Sequence, residues 1–304
     1  MFDLAPPRSD LADMALRALP QTQEFAKALI KSGQRPLLLD RMQDTVVLRR
    51  RIWGRVNAAM INRADLSKPA RLLEILQEEG LKRTPILLSP ESPTPELARL
   101  GALPLMTPAS VAQIDLDIPA DMQRARLHQK WRNRLVQAEN AGLKITRQNM
   151  PIDASHWLLQ ADAKLQQKRG YRSWPVPLTL AYAEANPGKA KLFQAFDGTD
   201  CVAGILVLTH GQNATYHIAH SLPRGKALNA NNLLLWSALH WLRQKGVKRL
   251  DLGLINTEDA EGLARFKLGT GAEISKLGGT WLYWPPLGRR LTPLARWDLK
   301  LMQT

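Results

Sequence analysis

The chain has 304 residues, 45% of them hydrophobic and 23% charged, a globular mixture long enough for about two domains and unlike a disordered or fibrous sequence. Its net charge of +15 and pI near 10.2 favour polyanionic or phosphorylated partners without choosing among nucleic acid, anionic lipid and a phosphorylated cofactor. The single cysteine, Cys201, excludes an internal disulfide and a thiolate zinc site; it implies a reducing cytoplasm and no metal. MFDLAPPRSDLADM lacks the basic start and apolar run of a secretory signal. LLLWSALHWL at 233–242 falls short of the roughly 20 residues that span a bilayer, so a soluble, cytoplasmic protein is expected.

Helical spacing opens in DLADMALRALPQTQEFAKALIKSG, where Pro20 splits two short helices and Gly33 ends the second. PLLLD, TVVLRRR and RVNAAMINR read as strands. KPARLLEILQEEG is a helix with Pro69 near its start and Gly80 at its end, followed by the strand TPILLSP, the short helix PTPELARLG and the strand ALPLM. ASVAQIDLD then leads into a long basic helix, PADMQRARLHQKWRNRLVQAENAGL. Leu127, Trp131, Leu135 and Ala138, at steps of four and three, give it one buried face. Arg124, Arg126, Lys130, Arg132 and Arg134 make the other face positive with no intervening acid: a solvated face, or a surface for a polyanionic donor.

LKITRQ is a strand, WLLQADAKLQQKRG a helix and RGYRSWPVP an aromatic loop. AKLFQAFDG, CVAGILVLTHG and NATYHIAHS form an antiparallel meander with turns at Gly198 and Gly211. ANNLLLWSALHWLRQKG is a helix capped by its asparagine pair and closed at Gly246. VKRLDLGLI is a buried strand, and TEDAEGLARFK a short helix opened by Thr257 and three acids and closed by Lys267. Both halves run helix, strands, helix, strand, helix, strand. That order predicts a mixed α/β fold with duplicated domains over residues 1–118 and 119–281, and a tail, 282–304, that packs back on the first domain or lies on anionic lipid.

No GxxxxGK[ST], GxSxG or HExxH motif is present, which sets aside P-loop, α/β-hydrolase and zinc-helix chemistry. The series KWRNRLVQAENAGL, ATYHIAHS, ANNLLLW, LDLG and FKLGTGA resembles, in order and spacing over about residues 120–281, the GNAT acyltransferase superfamily and more closely its Fem-type branch of duplicated-GNAT transferases. The resemblance implies two GNAT-like domains, each a mixed, largely antiparallel sheet flanked by helices, joining an activated acyl or aminoacyl group to an amine. It puts Lys267 in the active cleft, where a fixed ammonium can stabilise a tetrahedral oxyanion or clamp a phosphate. The bland alternative for Lys267 is complementing its helix dipole.

Asp251 is the second catalytic candidate, as proton acceptor or as the pin of a turn; Glu258 could also handle a proton. His217 and Tyr216 in the meander could do so or be hydrogen-bonded core residues. Arg172 and Trp174 in the aromatic loop, with Asn229, Asn232, Trp236 and Phe266, are the remaining substrate-binding candidates; Lys130, Arg132, Arg134 and Arg224 are candidates for the donor. In PRGKALNANNLL the glycine pair that lets a pyrophosphate approach a helix N-terminus is incomplete, Gly225 being followed by Leu228 and Asn229 where small residues would be favoured, so CoA fits less well than aminoacyl-tRNA, which the Fem-type branch commonly uses and whose backbone suits a charge of +15. No bound cofactor is expected. The alternatives are an acyl-CoA-dependent transferase acting on a small amine and a non-catalytic module that holds RNA or anionic lipid.

Overall fold

The computed structural model describes residues 16–42, 44–52, 56–171 and 173–293. The chain forms two compact units, one built on Gly33–Ser110 with Pro20–Ala26 and the chain from Ser275 on, the other on Val111–Ile274 with Lys27–Ser32. After the helix α1 (Gln23–Lys31), the first unit's sheet comprises β1 (Leu37–Leu39), β2 (Thr45–Ile52), β3 (Val56–Ala64), β4 (Ile86–Pro90), β5 (Leu103–Met106) and β13 (Thr280–Tyr283), in the order β1-β2-β3-β4-β13-β5. β3 and β4 are parallel, and the connection that a parallel pair requires carries α2 (Pro69–Leu76). A short helix, α3 (Glu96–Arg99), precedes β5.

The second sheet comprises β6 (Ser110–Asp115), β7 (Lys144–Asn149), β8 (Ala190–Asp197), β9 (Asp200–His210), β10 (Asn213–Ser221), β11 (Arg249–Leu254) and β12 (Glu273–Lys276), in the order β12-β6-β11-β10-β9-β8-β7. Its helices are α4 (Ala120–Arg126), α5 (Gln129–Asn140), α6 (Trp157–Arg169), α7 (Val176–Ala185), α8 (Pro223–Ala227), α9 (Ala230–Gln244) and α10 (Glu261–Leu268). The meander β8–β9–β10 is antiparallel, and α9 connects the parallel strands β10 and β11. β9 is buried almost throughout, as its unbroken apolar run requires of a strand covered on both faces. Trp157 of α6 lies against Gly204 on one face. Phe193, beside Ile205 and so on the opposite face, meets Trp241 of α9 edge-on at 5.8 Å.

The mixed sheets flanked by helices are those expected of a duplicated domain, but one strand of each sheet comes from across the sequence boundary. β6 follows β5 in the chain and pairs with β11, while β13 follows β12 and pairs with β4 and β5. The division expected at 118 therefore falls at Ser110–Val111, and Thr280–Tyr283 is a strand of the first sheet rather than the end of the second domain and the start of a tail. Residues 294–304, and the start of the first expected helix, lie outside the described residues.

Other expectations are corrected locally. The long basic helix is two helices, because Leu127 is extended (ψ 133°) and His128 caps α5, its ring nitrogen accepting from the Lys130 N–H at 3.3 Å while its own N–H donates to Gly269 O at 2.9 Å. Leu127, Trp131, Leu135 and Ala138 are all buried even so. The helix expected from Thr257 starts at Glu261; before it, Asn256 Oδ1 accepts from the N–H groups of Glu258 and Asp259 and holds a turn. The asparagine pair does not cap α9. Its N-cap is Asn229, in the left-handed region at φ 52°.

Gly225 is required for packing. A Cβ there would lie 2.3 Å from Val202 O and 2.7 Å from Ser221 Oγ, so α8 can rest on β9 only with glycine at this position. Gly225→Ala should lower unfolding free energy by at least about 1–3 kcal/mol. Urea denaturation at constant m-value is the measurement, and an unchanged midpoint would contradict this packing.

Candidate active site

β10 and β11 pair over only three residues each, Asn213–Thr215 with Arg249–Asp251. Beyond that, β10 continues against β9 through a register shift at Tyr216–Ile218, and β11 continues against β6 through another at Asp251–Gly253. The parallel strands thus part, and the residues where they part are those singled out from the sequence.

On the β11 side, Asp251 Oδ1 accepts from the Gly253 N–H at 2.6 Å, and Gly253 has φ 79°, a geometry that favours glycine. This bulge presents the carbonyl of Leu254, which accepts a hydrogen bond from Lys267 Nζ at 2.7 Å. Lys267 arrives from α10 and is only 6% exposed. The stem is buried with it. Its ammonium is not a cap for its own helix either, since its carbonyl is met by Thr270 Oγ1 at 2.6 Å and its Nζ reaches across to β11. Burial pushes its pKa down to about 8, against an opposing pull from Asp251.

On the β10 side, His217 Nε2 shares a 3.0 Å hydrogen bond with Thr179 Oγ1 of α7, and its ring meets Trp174 edge-on at 4.8 Å. Burial lowers His217 to about 4, so the ring is neutral at physiological pH, and burial also raises the Tyr216 phenol above its ordinary value. Trp174 is near Tyr182 as well, at 6.0 Å. Arg172 lies outside the described residues. Glu258 is exposed, its N–H held by Asn256 in the turn before α10.

At the N-terminus of α9, Asn229 donates to Gln137 Oε1 of α5 at 3.1 Å, whereas the buried Asn232 Nδ2 has no partner among the described residues. The N–H groups of Leu228 and Asn229 donate to Arg224 O and Lys226 O, closing α8. Both amides are thus engaged within the chain. Trp236 is core, packed by His240 at 5.0 Å and by the Arg124 guanidinium at 5.5 Å; Phe266 lies 5.9 Å from Trp131.

The basic residues separate by role. Arg124 forms a two-pronged ion pair with Glu139 at 2.7 and 2.8 Å, and Arg132 donates to Ala125 O and Leu127 O, closing the end of α4. Lys130 and Arg134 are exposed, and among the described residues neither has a carboxylate within ion-pair distance. Arg224 pairs with Asp197 at 2.6 Å. Sequence reasoning missed Thr179 and the Leu254 carbonyl. Thr179 lies on α7, whose sequence VPLTLAYAEA is apolar on nearly every side and shows no helical alternation; the aspartate and glycine of LDLG were the available signal for the bulge.

Residues 123–268 match the family model for an acetyltransferase (GNAT) domain. No curated protein sequence matches the chain. Among solved structures, FemX superposes with a TM-score of 0.71 at 14% identity, covering 93% of this chain and 97% of that chain. The C-terminal domain of a putative lysylphosphatidylglycerol synthetase from Agrobacterium fabrum gives 0.54 at 15% identity over 97% and 96% of the two chains. L-PGS from Bacillus licheniformis gives 0.54 at 12% over 88% and 93%. Residues 123–268 are thus a GNAT acyltransferase domain, within a two-unit chain that has the FemX fold.

Proposed function

We propose that the chain forms an amide between an activated aminoacyl group, carried on tRNA, and an amine acceptor. The observation that carries the proposal is the buried Lys267 ammonium held at the parting of β10 and β11. Attack of an amine on an ester passes through a tetrahedral oxyanion, and a fixed donor in a site shielded from water contributes on the order of 3 kcal/mol to stabilising it. With one N–H committed to Leu254 O, the ammonium retains two donors for an oxyanion or a phosphate oxygen. At pH 7 it is mostly charged. His217, protonated only near pH 4, is poorly matched to taking a proton from an ammonium.

The engaged amides of Leu228 and Asn229 and the exposed Lys130 and Arg134 favour a tRNA donor over CoA. A solved neighbour is named as a synthetase of an aminoacylated lipid, which agrees with an aminoacyl group. Acyl-CoA transfer to a small amine is the second reading, favoured by the acetyltransferase family model. A panel of labelled donors incubated with candidate amines separates the two, and binding of RNA without any product from any donor would leave a non-catalytic module. Acetyl-CoA at high micromolar concentration should give no thermal shift; a saturable shift would favour the second reading.

Lys267→Met should reduce turnover about a hundredfold or more without loss of stability at pH 7, since a buried charge is replaced by an apolar chain of similar length. Lys267→Arg should also be impaired because a planar fork does not reproduce a compact ammonium. Full activity of folded Lys267→Met would end this assignment. In the wild type, turnover that needs the ammonium should fall as pH rises through about 8.

Stability should move the opposite way. Lys267 has a folded pKa of about 8 against an ordinary 10.5, so the unfolded chain binds more protons between those values and the folded state gains stability as pH rises through the window. Between pH 7.5 and 10.5 the wild type should gain about 3 kcal/mol relative to Lys267→Met. Parallel pH profiles for the two proteins would show that the lysine is not buried as described. Lys130→Gln with Arg134→Gln should weaken tRNA binding and flatten its dependence on salt, and an unchanged salt slope would place both residues in solvent.

A further inference from the structure

At the end of the second sheet remote from Lys267, the start of β8, the β9–β10 turn and the C-terminus of α9 enclose an open cleft of about 420 Å³, lined by Arg147, Lys191, Thr209, Trp241 and Lys245. Strand pairing explains why these side chains meet. Asn149 lies opposite Lys191, Arg147 opposite Phe193, and Lys191 opposite Val207, so Arg147, Lys191 and Thr209 project from the face that α9 covers. The Arg147 guanidinium is 5.3 Å and the Lys191 ammonium 5.8 Å from the centre of the Trp241 ring, and Lys245 is the C-cap of α9.

Among the described residues nothing anionic compensates these three cations. Among the described residues no carboxylate lies within 4.0 Å of any of them. The last carbonyls of α9, those of Trp241, Leu242 and Arg243, already accept from the N–H groups of Lys245, Gly246 and Val247, so the cations are not serving as their caps. Lys191 has one neutral partner, Asn149 Oδ1. Burial, with Arg147 and Lys245 behind it, holds the Lys191 ammonium below its usual range, the mark of like charges gathered at a cost.

We propose that this cleft is a second ligand site, separate from the acyl-transfer cleft, and that it binds a terminal phosphate carried by pyrophosphate or a phosphomonoester. A dianion with three free oxygens matches a guanidinium fork and two ammonium groups, whereas a phosphodiester offers one charge and two free oxygens. Trp241 is only 7% exposed, which leaves no ring face for stacking a base, so recognition rests on the phosphate.

The test is calorimetric titration of the full-length protein with inorganic pyrophosphate at low salt, without divalent cations. The wild type should show saturable binding, weakened at least tenfold in Arg147→Gln/Lys191→Gln and retained in Lys68→Gln/Lys82→Gln, which removes the same charge elsewhere. The melting temperature of the first variant without ligand should hold or rise, because mutual repulsion is relieved. No binding by the wild type at millimolar pyrophosphate would overturn the proposal, as would binding that survives in Arg147→Gln/Lys191→Gln. Vesicles containing phosphatidylglycerol, a diester, should not compete; vesicle binding that depends on these residues in the absence of pyrophosphate binding would assign the cleft to a lipid surface instead. None of these outcomes depends on the acyl transfer proposed above, since neither variant alters Lys267.

Discussion

The parting of β10 from β11 is the constraint on which the rest of the catalytic unit depends. Two parallel strands that paired along their whole length would bond all their facing amides to each other and leave no opening. Here each strand slips register against its outer neighbour, at Tyr216–Ile218 and at Asp251–Gly253, after three residues of mutual pairing. The β11 bulge is held by a carboxylate two residues upstream and by a glycine in the left-handed region, and its consequence is that the Leu254 carbonyl receives the Lys267 ammonium. Backbone irregularity and buried charge are one arrangement.

Around that opening the molecule divides its cations by electrostatic environment. Some are tied down: Arg124 by Glu139, Arg132 by the closing carbonyls of α4, Arg224 by Asp197. These shape elements. Lys267 is desolvated and has a neutral partner, which costs stability and gives a charge that an oxyanion can meet without first displacing water. Lys130 and Arg134 remain hydrated, available to a polyanion at little cost. Net charge alone suggests a polyanionic partner for the whole chain, whereas the separate environments distinguish cations that are paired, buried or hydrated.

The resemblance visible in five short motifs was sufficient for the second unit because those motifs sit where local chemistry is constrained: the glycine of LDLG at the bulge, the lysine of FKLGTGA at the end of α10, the asparagines in the first turn of α9. Gly225 shows the limit of such reading. From sequence it is the remnant of a phosphate loop; in the structure it is the position where α8 touches the backbone of β9. A glycine kept for close approach to a ligand and one kept for close approach to a neighbouring strand are indistinguishable in a single sequence.

The sequence by itself determined the mixed α/β class, the meander, the helix α9, the buried face of the basic segment and the place of Lys267 beside a glycine-broken stretch, because each depends on periodicity, turn residues or caps within a few positions. Tertiary structure decided the rest. The exchange of β6 and β13 between sheets is set by which edge each strand pairs with, a long-range choice that alternation cannot encode. The break at Leu127–His128 depends on Gly269, distant in sequence, accepting the His128 N–H. α7 is apolar on too many sides to show a helical period, and only its packing fixes Thr179 against His217. The fate of the Lys267 ammonium depended on a carbonyl thirteen residues earlier in the chain, presented by a bulge that exists only because β11 has two different neighbours.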